Sequence, residues 1–204
     1  MEVLVVTGGI GSGKSEVCRI LSEEFSCGVY NADSRVKLLY DIHPTLLSDI
    51  EDLAGESLCD DSGRFVPARL SARIFSDRGF LKQVEGKVFP ALMEDFEIWS
   101  KAYSQDPFVV FESATILEKP ELKGFGDKVI LVDAQVQTRL ERACRRDCAS
   151  VESISSRMQN QKLMNSISAG ETKAETDAVI YNYGTLDELK DNTIRVVKDL
   201  FDNL

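Results

Sequence analysis

The chain contains one histidine and one tryptophan among its 204 residues, and it is short of positive charge. Its 24 lysines and arginines stand against 34 aspartates and glutamates, which gives a formal net charge of −10 at pH 7. A deficit of this size argues against general binding to nucleic acid or to an anionic membrane. The scarcity of histidine excludes histidine-rich metal sites and favours a carboxylate as any general base.

The sequence also lacks a Cys-x-x-Cys pair and any apolar run long enough to cross a bilayer. Its five cysteines are odd in number and have no metal-ligand spacing, which argues against a disulfide framework or a zinc site. The chain opens Met-Glu and then enters an apolar run, so we expect no signal peptide. Free thiols and the absence of a targeting segment predict a cytoplasmic protein.

Five short apolar runs rich in β-branched residues alternate with stretches of helical periodicity. These runs are Val3–Val6, Gly28–Tyr30, Phe108–Phe111, Val129–Val132 and Ala178–Tyr181. The alternation predicts an α/β fold with three layers, in which helices cover both faces of a parallel five-stranded sheet. Ligands of such sheets bind at the carboxyl ends of the strands, so we expect the functional residues at that edge.

Two long helical stretches interrupt the strand pattern. The interval from about 35 to 103 holds no convincing strand and predicts an inserted helical subdomain, with a long helical pattern interrupted at Pro90. A second stretch, from about 135 to 173, breaks at residues 147–150, where Ser150 is suited to cap the next helix. This second stretch is a candidate lid. No linker separates independently folding parts, so residues 1–204 predict a single domain.

The most informative motif occupies residues 8–15, which read Gly-Gly-Ile-Gly-Ser-Gly-Lys-Ser and satisfy the P-loop pattern G-x-x-x-x-G-K-[ST]. It follows a predicted strand and opens a predicted helix, as a nucleoside triphosphate site requires. Glycines let backbone N–H groups approach the phosphates, Lys14 adds a mobile positive charge, and the Ser15 hydroxyl can ligate Mg²⁺. A dinucleotide site is not supported, because Lys14 stands where the third glycine of G-x-G-x-x-G would fall.

Several acidic residues follow the predicted strands. Asp33 comes after the second strand, where it can act as the base that accepts a hydroxyl proton or can cap a helix that begins near Ser34. Glu112 ends the third strand, where P-loop proteins often place an acidic group that contacts a magnesium-bound water. A glutamate on the protein surface is a close alternative. Glu118 follows a few residues later and faces either substrate or solvent.

Four arginines fall within eight residues of this acidic chain, namely Arg139, Arg142, Arg145 and Arg146. Positions 139, 142 and 146 follow helical spacing, so one helix face presents several guanidinium groups. Arginines delivered by a lid can neutralise the charge that develops during phosphoryl transfer. A solvated charged face is the alternative, and we favour phosphate contact because the run opposes the net charge of the chain.

Taken in order, these segments resemble the dephospho-CoA kinase family. Residues 7–15 and 31–33 are similar to the family's opening T-G-G-I-G-S-G-K-[ST] and to its D-A-D, and residues 176–184 to its closing A-D-x-V-I-x-N-x-G. Residues 61–64 and 72–75 resemble its D-x-G and L-A-x-x-V-F segments. The family's lid is matched by Gln137, Arg142, Arg146-Asp147 and residues 157–161. The resemblance therefore spans nearly the whole chain.

The chain departs from the family pattern at four places. Asn31 replaces the first aspartate of D-A-D, and Glu16 replaces the usual threonine or small residue after G-K-[ST]. Phe89 stands where the family commonly has histidine before Pro90, and residues 113–118 loosen its P-L-L-F-E segment. The candidate base Asp33 is present.

The resemblance implies a single P-loop kinase domain that uses ATP and Mg²⁺ to phosphorylate the ribose 3′-hydroxyl of dephospho-CoA, the last step of CoA biosynthesis. It implies that Asp33 is the base, that Lys14, Arg142 and Arg146 assist phosphate transfer, and that Ser15 ligates the metal. The helical insertion would help seat the CoA portion, and we expect a monomer whose partners are its two small-molecule substrates. The nucleotide contacts implied are Gly8, Gly9, Ile10, Gly11, Ser12, Gly13, Lys14, Ser15, Glu16 and Asn182.

Other functions fit the P-loop taken alone. One alternative is a kinase for another small hydroxyl acceptor, such as a nucleoside, nucleotide or sugar acid, and the closing motifs argue against it. A guanine-nucleotide switch needs N-K-x-D, and the nearest string, residues 160–163, lacks the aspartate. A non-catalytic nucleotide-binding module is the remaining alternative.

Overall fold

The computed structural model describes residues 1–173 and 175–201, and within them strands and helices alternate as the sequence pattern predicts. The strands are β1 Glu2–Thr7, β2 Val29–Asn31, β3 Phe108–Glu112, β4 Lys128–Asp133 and β5 Ala178–Tyr181. The helices are α1 Lys14–Phe25, α2 Ala32–Ile42, α3 Leu46–Ala54, α4 Pro67–Ser76, α5 Arg78–Ser100, α6 Val136–Asp147, α7 Val151–Gln159, α8 Lys162–Ser168 and α9 Leu186–Leu200. Three short 3-10 turns lie at Lys101–Tyr103, Ile116–Glu118 and Pro120–Leu122.

The described strands form one five-stranded sheet, in the order β2-β3-β1-β4-β5, and every pair is parallel. This confirms the predicted α/β class. The chain reverses its direction of winding beside β1, because β3 lies on one side of it and β4 on the other. In the register of the sheet, Val6 stands level with Glu112, and Glu112 stands level with Asn31. The crevice at this point is where open α/β sheets bind their ligands.

One face of the sheet buries its apolar side chains against α1 and α9. Alternate residues of β1, Leu4 and Val6, point into this core, as the two-residue period of a strand requires. Each helix contributes the apolar side of its own period, including Val17 and Leu21 from α1. Phe201, which follows α9, stacks on Phe108 of β3 with ring centroids 4.9 Å apart. Phe201 therefore closes this core at the end of α9.

Side chains cap the starts of two helices, and the cap at Ser150 confirms the sequence prediction. The Ser150 side chain accepts a hydrogen bond from the Ser153 N–H at 3.3 Å and so caps α7, after α6 ends at Asp147. Thr185 and Glu188 form a reciprocal capping box at the start of α9. Both caps satisfy backbone N–H groups that a helix cannot satisfy internally. Local side-chain chemistry was enough to locate these boundaries.

The chain divides into two compact units, one made of Met1–Asn31 together with the residues from Tyr103 onward, and the other of Ala32–Ala102. The second unit is helical, with α2 to α5 and an isolated bridge between Cys59 and Phe65. Inside it, Tyr40 stacks on Phe65 with centroids 4.5 Å apart, and Arg35 of α2 forms an ion pair with Asp95 of α5. These contacts hold the helices of this unit together.

The expected interruption at Pro90 is wrong, because α5 continues through that residue. Proline lacks the N–H that would bond one turn back, which normally weakens a helix interior. Here apolar side chains on both sides of the proline are buried, including Val84 and Val88 before it and Leu92 and Phe96 after it. Packing of this apolar face outweighs the local penalty.

None of the described helices combines the length and the apolar character needed to cross a bilayer.

Candidate active site

The phosphate loop, residues 8–13, joins β1 to α1 and ends at the helix N-terminus, where unsatisfied amides attract anions. Gly13 precedes the helix with a φ of 103°, in the left-handed region that favours glycine. A Cβ at Gly13 would also collide with the side-chain amide of Asn182. Backbone conformation and close contact therefore both require glycine at this position.

Asn182, the residue after β5, supports the loop from the side. It is buried, and its Nδ2 donates to the carbonyl of Ser12 at 2.9 Å. Its Oδ1 accepts a longer hydrogen bond of 3.5 Å from Nη2 of Arg142 on α6. The structure thus brings Asn182 and Arg142 together beside the loop, although they lie on separate elements.

Lys14 is the first residue of α1, and its side chain folds back over the loop. Its Nζ donates to the carbonyls of Gly8 at 2.9 Å and Gly9 at 3.1 Å. These two carbonyls hold the ammonium beside the loop backbone. A positive charge is therefore fixed next to the amides that a phosphate group would approach.

Glu112 is nearly buried, with 7% exposure, at the carboxyl end of β3. Its Oε1 accepts from the Ser15 hydroxyl at 2.9 Å, and its Oε2 accepts from Nδ2 of Asn31 at 2.7 Å. Glu112 and Asn31 stand level on neighbouring strands, so their side chains leave the same face of the sheet. The carboxylate is thereby fixed against the first turn of α1. The surface alternative considered for Glu112 is wrong.

Four buried polar atoms beside the loop have no hydrogen-bond partner among the described residues. They are Thr7 Oγ1, Ser12 Oγ, Arg139 Nη2 and Arg142 Nη1. Each unpaired buried group costs about 1–3 kcal/mol, so a protein seldom leaves several of them in one place. All four can donate a hydrogen bond, and two belong to cations. The arrangement favours an anionic ligand rich in oxygen atoms.

The arginines of α6 have different environments. Arg139 is 1% exposed, Arg142 is half-buried, and Arg145 is exposed. Arg146 is exposed and forms an ion pair with Asp147 at 2.7 Å, and Arg157 contacts the same carboxylate at 2.6 Å. These two guanidinium groups hold the pKa of Asp147 well below its usual value. Arg145 and Arg146 therefore lie on a solvated face of the helix, as the alternative interpretation expects, whereas Arg139 does not.

Two buried side chains contact the loop at Ile10, a contact that the sequence did not indicate. Arg139 Nε donates to the Ile10 carbonyl at 3.0 Å, and Gln161 Oε1 accepts from the Ile10 N–H at 2.8 Å. Gln161 belongs to the segment that resembles the family's lid. Helical spacing groups Arg139 with Arg142 and Arg146, but charge patterning carries no information about which of these residues is buried.

Asp33 lies in the first turn of α2. The expectation that it caps a helix beginning near Ser34 is wrong, because α2 already begins at Ala32, directly after β2. An N-cap residue precedes the first helical residue, whereas Asp33 is the second residue of this helix. A carboxylate in the first turn is still favoured by the positive end of the helix.

Two other acidic residues considered for the site have contrasting surroundings. The Glu16 side chain forms an ion pair with Arg19 at 2.5 Å on α1, and this hydrogen bond lowers the pKa of Glu16. Glu118 lines a largely apolar cavity of about 680 Å³ on the face of the sheet that carries Val5 and Val129. Its Oε1 is buried with no hydrogen-bond partner in the described part of the chain.

The five cysteines form no disulfide bonds in the structure. All five are free, and no cluster of three or more His, Cys, Asp or Glu residues that could hold a metal occurs in the described ranges. Burial raises the pKa of Cys18, with a further contribution from Glu112, and burial raises the pKa of Cys27 to about 12. Both thiols stay protonated and behave as small apolar groups.

Comparison with known proteins identifies relatives along almost the whole chain. The family model of dephospho-CoA kinase, CoaE, matches residues 2–188. A dephospho-CoA kinase of Porphyromonas gingivalis is 38% identical over 182 residues, which cover 89% of this chain and 86% of the relative. The sequence match therefore includes the phosphate loop, the helical unit and α6 to α8.

Solved structures share the fold. TT1252 from Thermus thermophilus superposes with a TM-score of 0.80 at 24% identity, covering 98% of this chain and 97% of that one. The dephospho-CoA kinase from Campylobacter jejuni gives a TM-score of 0.59 at 18% identity, with coverage of 98% and 97%. At these identities the structures establish the shared architecture alone.

We expect Lys14→Ala to weaken ADP binding by about 10- to 100-fold, the value of one charge-assisted hydrogen bond to phosphate. The loop loses the ammonium that lies over Gly8 and Gly9, while the backbone is unchanged. Isothermal titration calorimetry with ADP measures the effect, and the exposed Lys198→Ala on α9 is the matched control. An unchanged ADP affinity in a folded Lys14→Ala protein would exclude this loop as the phosphate site.

Proposed function

The chain belongs to the dephospho-CoA kinase family, and from this membership we infer that it transfers the γ-phosphate of ATP to the 3′-hydroxyl of dephospho-CoA. The products are CoA and ADP, and the reaction is the last step of CoA biosynthesis. The observation that carries this conclusion is the family match over residues 2–188, which includes every motif discussed above from the phosphate loop to Asn182.

We propose that the phosphates of ATP bind at the loop of residues 8–13, next to the N-terminus of α1. The buried unpaired groups of Ser12 and Arg142 support this assignment, because each offers a donor to an anionic oxygen. Lys14 would move from the loop carbonyls to the β- and γ-phosphates when these arrive. Glu16 would lie beside the phosphates in the first turn of α1, although its N–H donates to the Gly13 carbonyl at 3.0 Å and its side chain is paired with Arg19.

The residues present also fit a magnesium ion. The Ser15 hydroxyl and the Glu112 carboxylate lie 2.9 Å apart, and such oxygen ligands suit this cation. Magnesium commonly keeps several waters and needs one or two protein ligands besides the phosphates, so no larger acidic cluster is required. The ion would neutralise phosphate charge. Ser15 would hold it directly, and Glu112 would orient a bound water.

We propose that Asp33 is the general base. It follows the carboxyl end of β2 by two residues, and its carboxylate lies in the positively polarised first turn of α2. Asp33 would accept the proton of the ribose 3′-hydroxyl while that oxygen forms a bond to the γ-phosphorus. The bond between this phosphorus and the bridging oxygen breaks at the same time, and ADP leaves with the electron pair.

We further propose roles for the two helical segments. The insertion, about residues 35–103, would seat the CoA portion, and the segment of about 135–173 would act as a lid. Arg142 and Arg146 would stabilise the charge that spreads over the transferred phosphoryl oxygens. Arg146 would exchange its ion pair with Asp147 for the phosphoryl group. The enzyme would act in the cytoplasm as a monomer, with ATP and dephospho-CoA as its partners and without nucleic acid.

The direct test is a coupled assay of ADP release with ATP, Mg²⁺ and dephospho-CoA, together with chromatographic detection of CoA. We expect turnover with dephospho-CoA and not with nucleosides, nucleotides or sugar acids. Turnover with one of those acceptors in place of dephospho-CoA would identify a different kinase. Nucleotide binding without turnover of any acceptor would identify a non-catalytic module.

We expect Asp33→Asn to lower kcat by about 10²- to 10⁴-fold, the usual contribution of a positioned base. Asparagine keeps the size of the side chain but cannot take the hydroxyl proton. Steady-state CoA formation measures kcat, and calorimetry with ADP should give an unchanged affinity. Asp41→Asn on the same helix, where the side chain is exposed, is the matched control. Preserved turnover in Asp33→Asn would contradict the assignment.

Arg142→Ala and Arg146→Ala should each lower kcat by about 10²- to 10³-fold while the KM for dephospho-CoA changes little, because both guanidinium groups act on charge in the transition state. The exposed Arg145→Ala on the same helix removes the same charge and should keep kcat within twofold of wild type. If Arg142→Ala and Arg146→Ala behave like this control, the arginine face is merely solvated.

A further inference from the structure

Ile10, at the tip of the phosphate loop, is held by buried groups from a distant part of the chain. Its N–H donates to Gln161 Oε1 at 2.8 Å, and its carbonyl accepts from Arg139 Nε at 3.0 Å. Its side chain packs against the buried apolar cluster of α6 and α7. The two polar groups and the side chain of one loop residue are therefore all fixed by the segment between β4 and β5.

Arg139 has an environment that a surface arginine lacks. It is 1% exposed, and its guanidinium lies so close to Gly9 that a Cβ there would overlap it. Its Nη2 has no hydrogen-bond partner among the residues described, so only part of its hydrogen-bonding capacity is used inside the protein. Burial lowers the pKa of Arg139, and Asp133 opposes this effect. The group remains charged at neutral pH, because arginine starts far above it.

Packing alone does not require a guanidinium at this place. An apolar side chain would fill the same volume without the cost of removing a charge from water. What arginine adds is a hydrogen bond to the Ile10 carbonyl and a positive charge next to Gly9. Both additions act on the phosphate loop.

Gln161 complements Arg139 on the other side of the same residue. It is buried and lies immediately before α8, and its amide oxygen accepts a hydrogen bond from the Ile10 N–H. This hydrogen bond fixes the orientation of the Ile10 N–H, and with it the orientation of the neighbouring loop backbone. Loop amides bind phosphate well only when they are already oriented before the ligand arrives. The pair therefore determines how the loop tip presents its backbone.

We propose that Arg139 and Gln161 are positioning residues that clamp the Ile10 residue and so pre-organise the phosphate loop for the phosphates of the nucleotide. The inference rests on the proposed function in one respect, that the loop binds nucleotide phosphates. Neither residue is required to touch the reacting atoms. The clamp also links the loop tip to α6 and α8, so a change in that segment alters phosphate binding.

The test uses the full chain with Arg139→Met and Gln161→Ala, and two readouts that do not involve dephospho-CoA. Hydrogen exchange of the Ile10 amide, followed by NMR, should accelerate at least about tenfold when its acceptor is lost in Gln161→Ala. Calorimetry should show ADP affinity reduced by about tenfold or more in both variants, with adenosine affinity within twofold of wild type. Adenosine has no phosphates and so does not report on the loop.

The matched controls replace an arginine and a glutamine that are exposed on the surface. Arg145→Met lies on the same helix as Arg139, and Gln105→Ala removes an exposed glutamine. Both should leave Ile10 exchange and ADP affinity unchanged. Gln161→Glu retains an acceptor for the Ile10 N–H and should restore slow exchange. If Arg139→Met fails to fold, Arg139→Lys and the Gln161 variants carry the test.

The proposal is overturned if folded Gln161→Ala keeps wild-type Ile10 exchange, or if ADP affinity stays within twofold in both variants. Equal losses of ADP and adenosine affinity would also overturn it, because they would indicate a general structural role. A wild-type protein that binds ADP but forms no CoA would refute the proposed function and leave the clamp supported by the binding data.

Discussion

The buried carboxylate of Glu112, at the carboxyl edge of the sheet, is the constraint on which the site depends. Burial of a charged group is costly unless its oxygens are hydrogen-bonded, and Glu112 meets this requirement with donors from Ser15 and Asn31. These donors reach it because β2, β3 and β1 stand in a register that aligns their ends. Sheet register, the start of α1 and the charge of the site are therefore mutually dependent.

Asn31 acquires a physical explanation from this arrangement. Residues 31–33 resemble the D-A-D segment of the family, in which the first residue is an aspartate. Two ionised carboxylates at the distance that separates Asn31 from Glu112 would repel each other, and one would have to take up a proton. An amide donates a hydrogen bond instead and leaves a single negative charge. Asn31 therefore supplies Glu112 with a hydrogen-bond donor and adds no second charge beside it.

Features specified by neighbouring residues could be read from the sequence. The strands, the phosphate loop and the caps at Ser150 and Thr185 depend on short-range periodicity and on side chains that bond to nearby backbone. Tertiary packing decided the rest. Pro90 stays inside a helix because residues on both sides of it are buried, and Asp33 loses its capping role because α2 starts two residues earlier than its cap pattern suggests.

The arginine run illustrates the same limit within the site. Arg139 and Arg145 are equivalent as letters in a charged segment, yet one is buried against Gly9 and the other is exposed. Helical spacing separates the face of Arg139 from Arg145, but it does not indicate that Arg139 reaches a loop residue 129 positions earlier in the chain. Local pattern identified the phosphate loop itself, whereas the groups that hold it in place required the three-dimensional structure.

The sheet-containing unit is interrupted in sequence by the helical unit, and this has a consequence for biosynthesis. On the ribosome, β1 and the phosphate loop emerge first, but their partner strands β3 and β4 follow only after the whole of Ala32–Ala102. The ring of Phe201, which stacks on Phe108, is synthesised after all five strands of the sheet. Since domains generally fold as units during synthesis, the helical unit can become compact while the phosphate loop still lacks the partner strands β3 and β4 that flank β1.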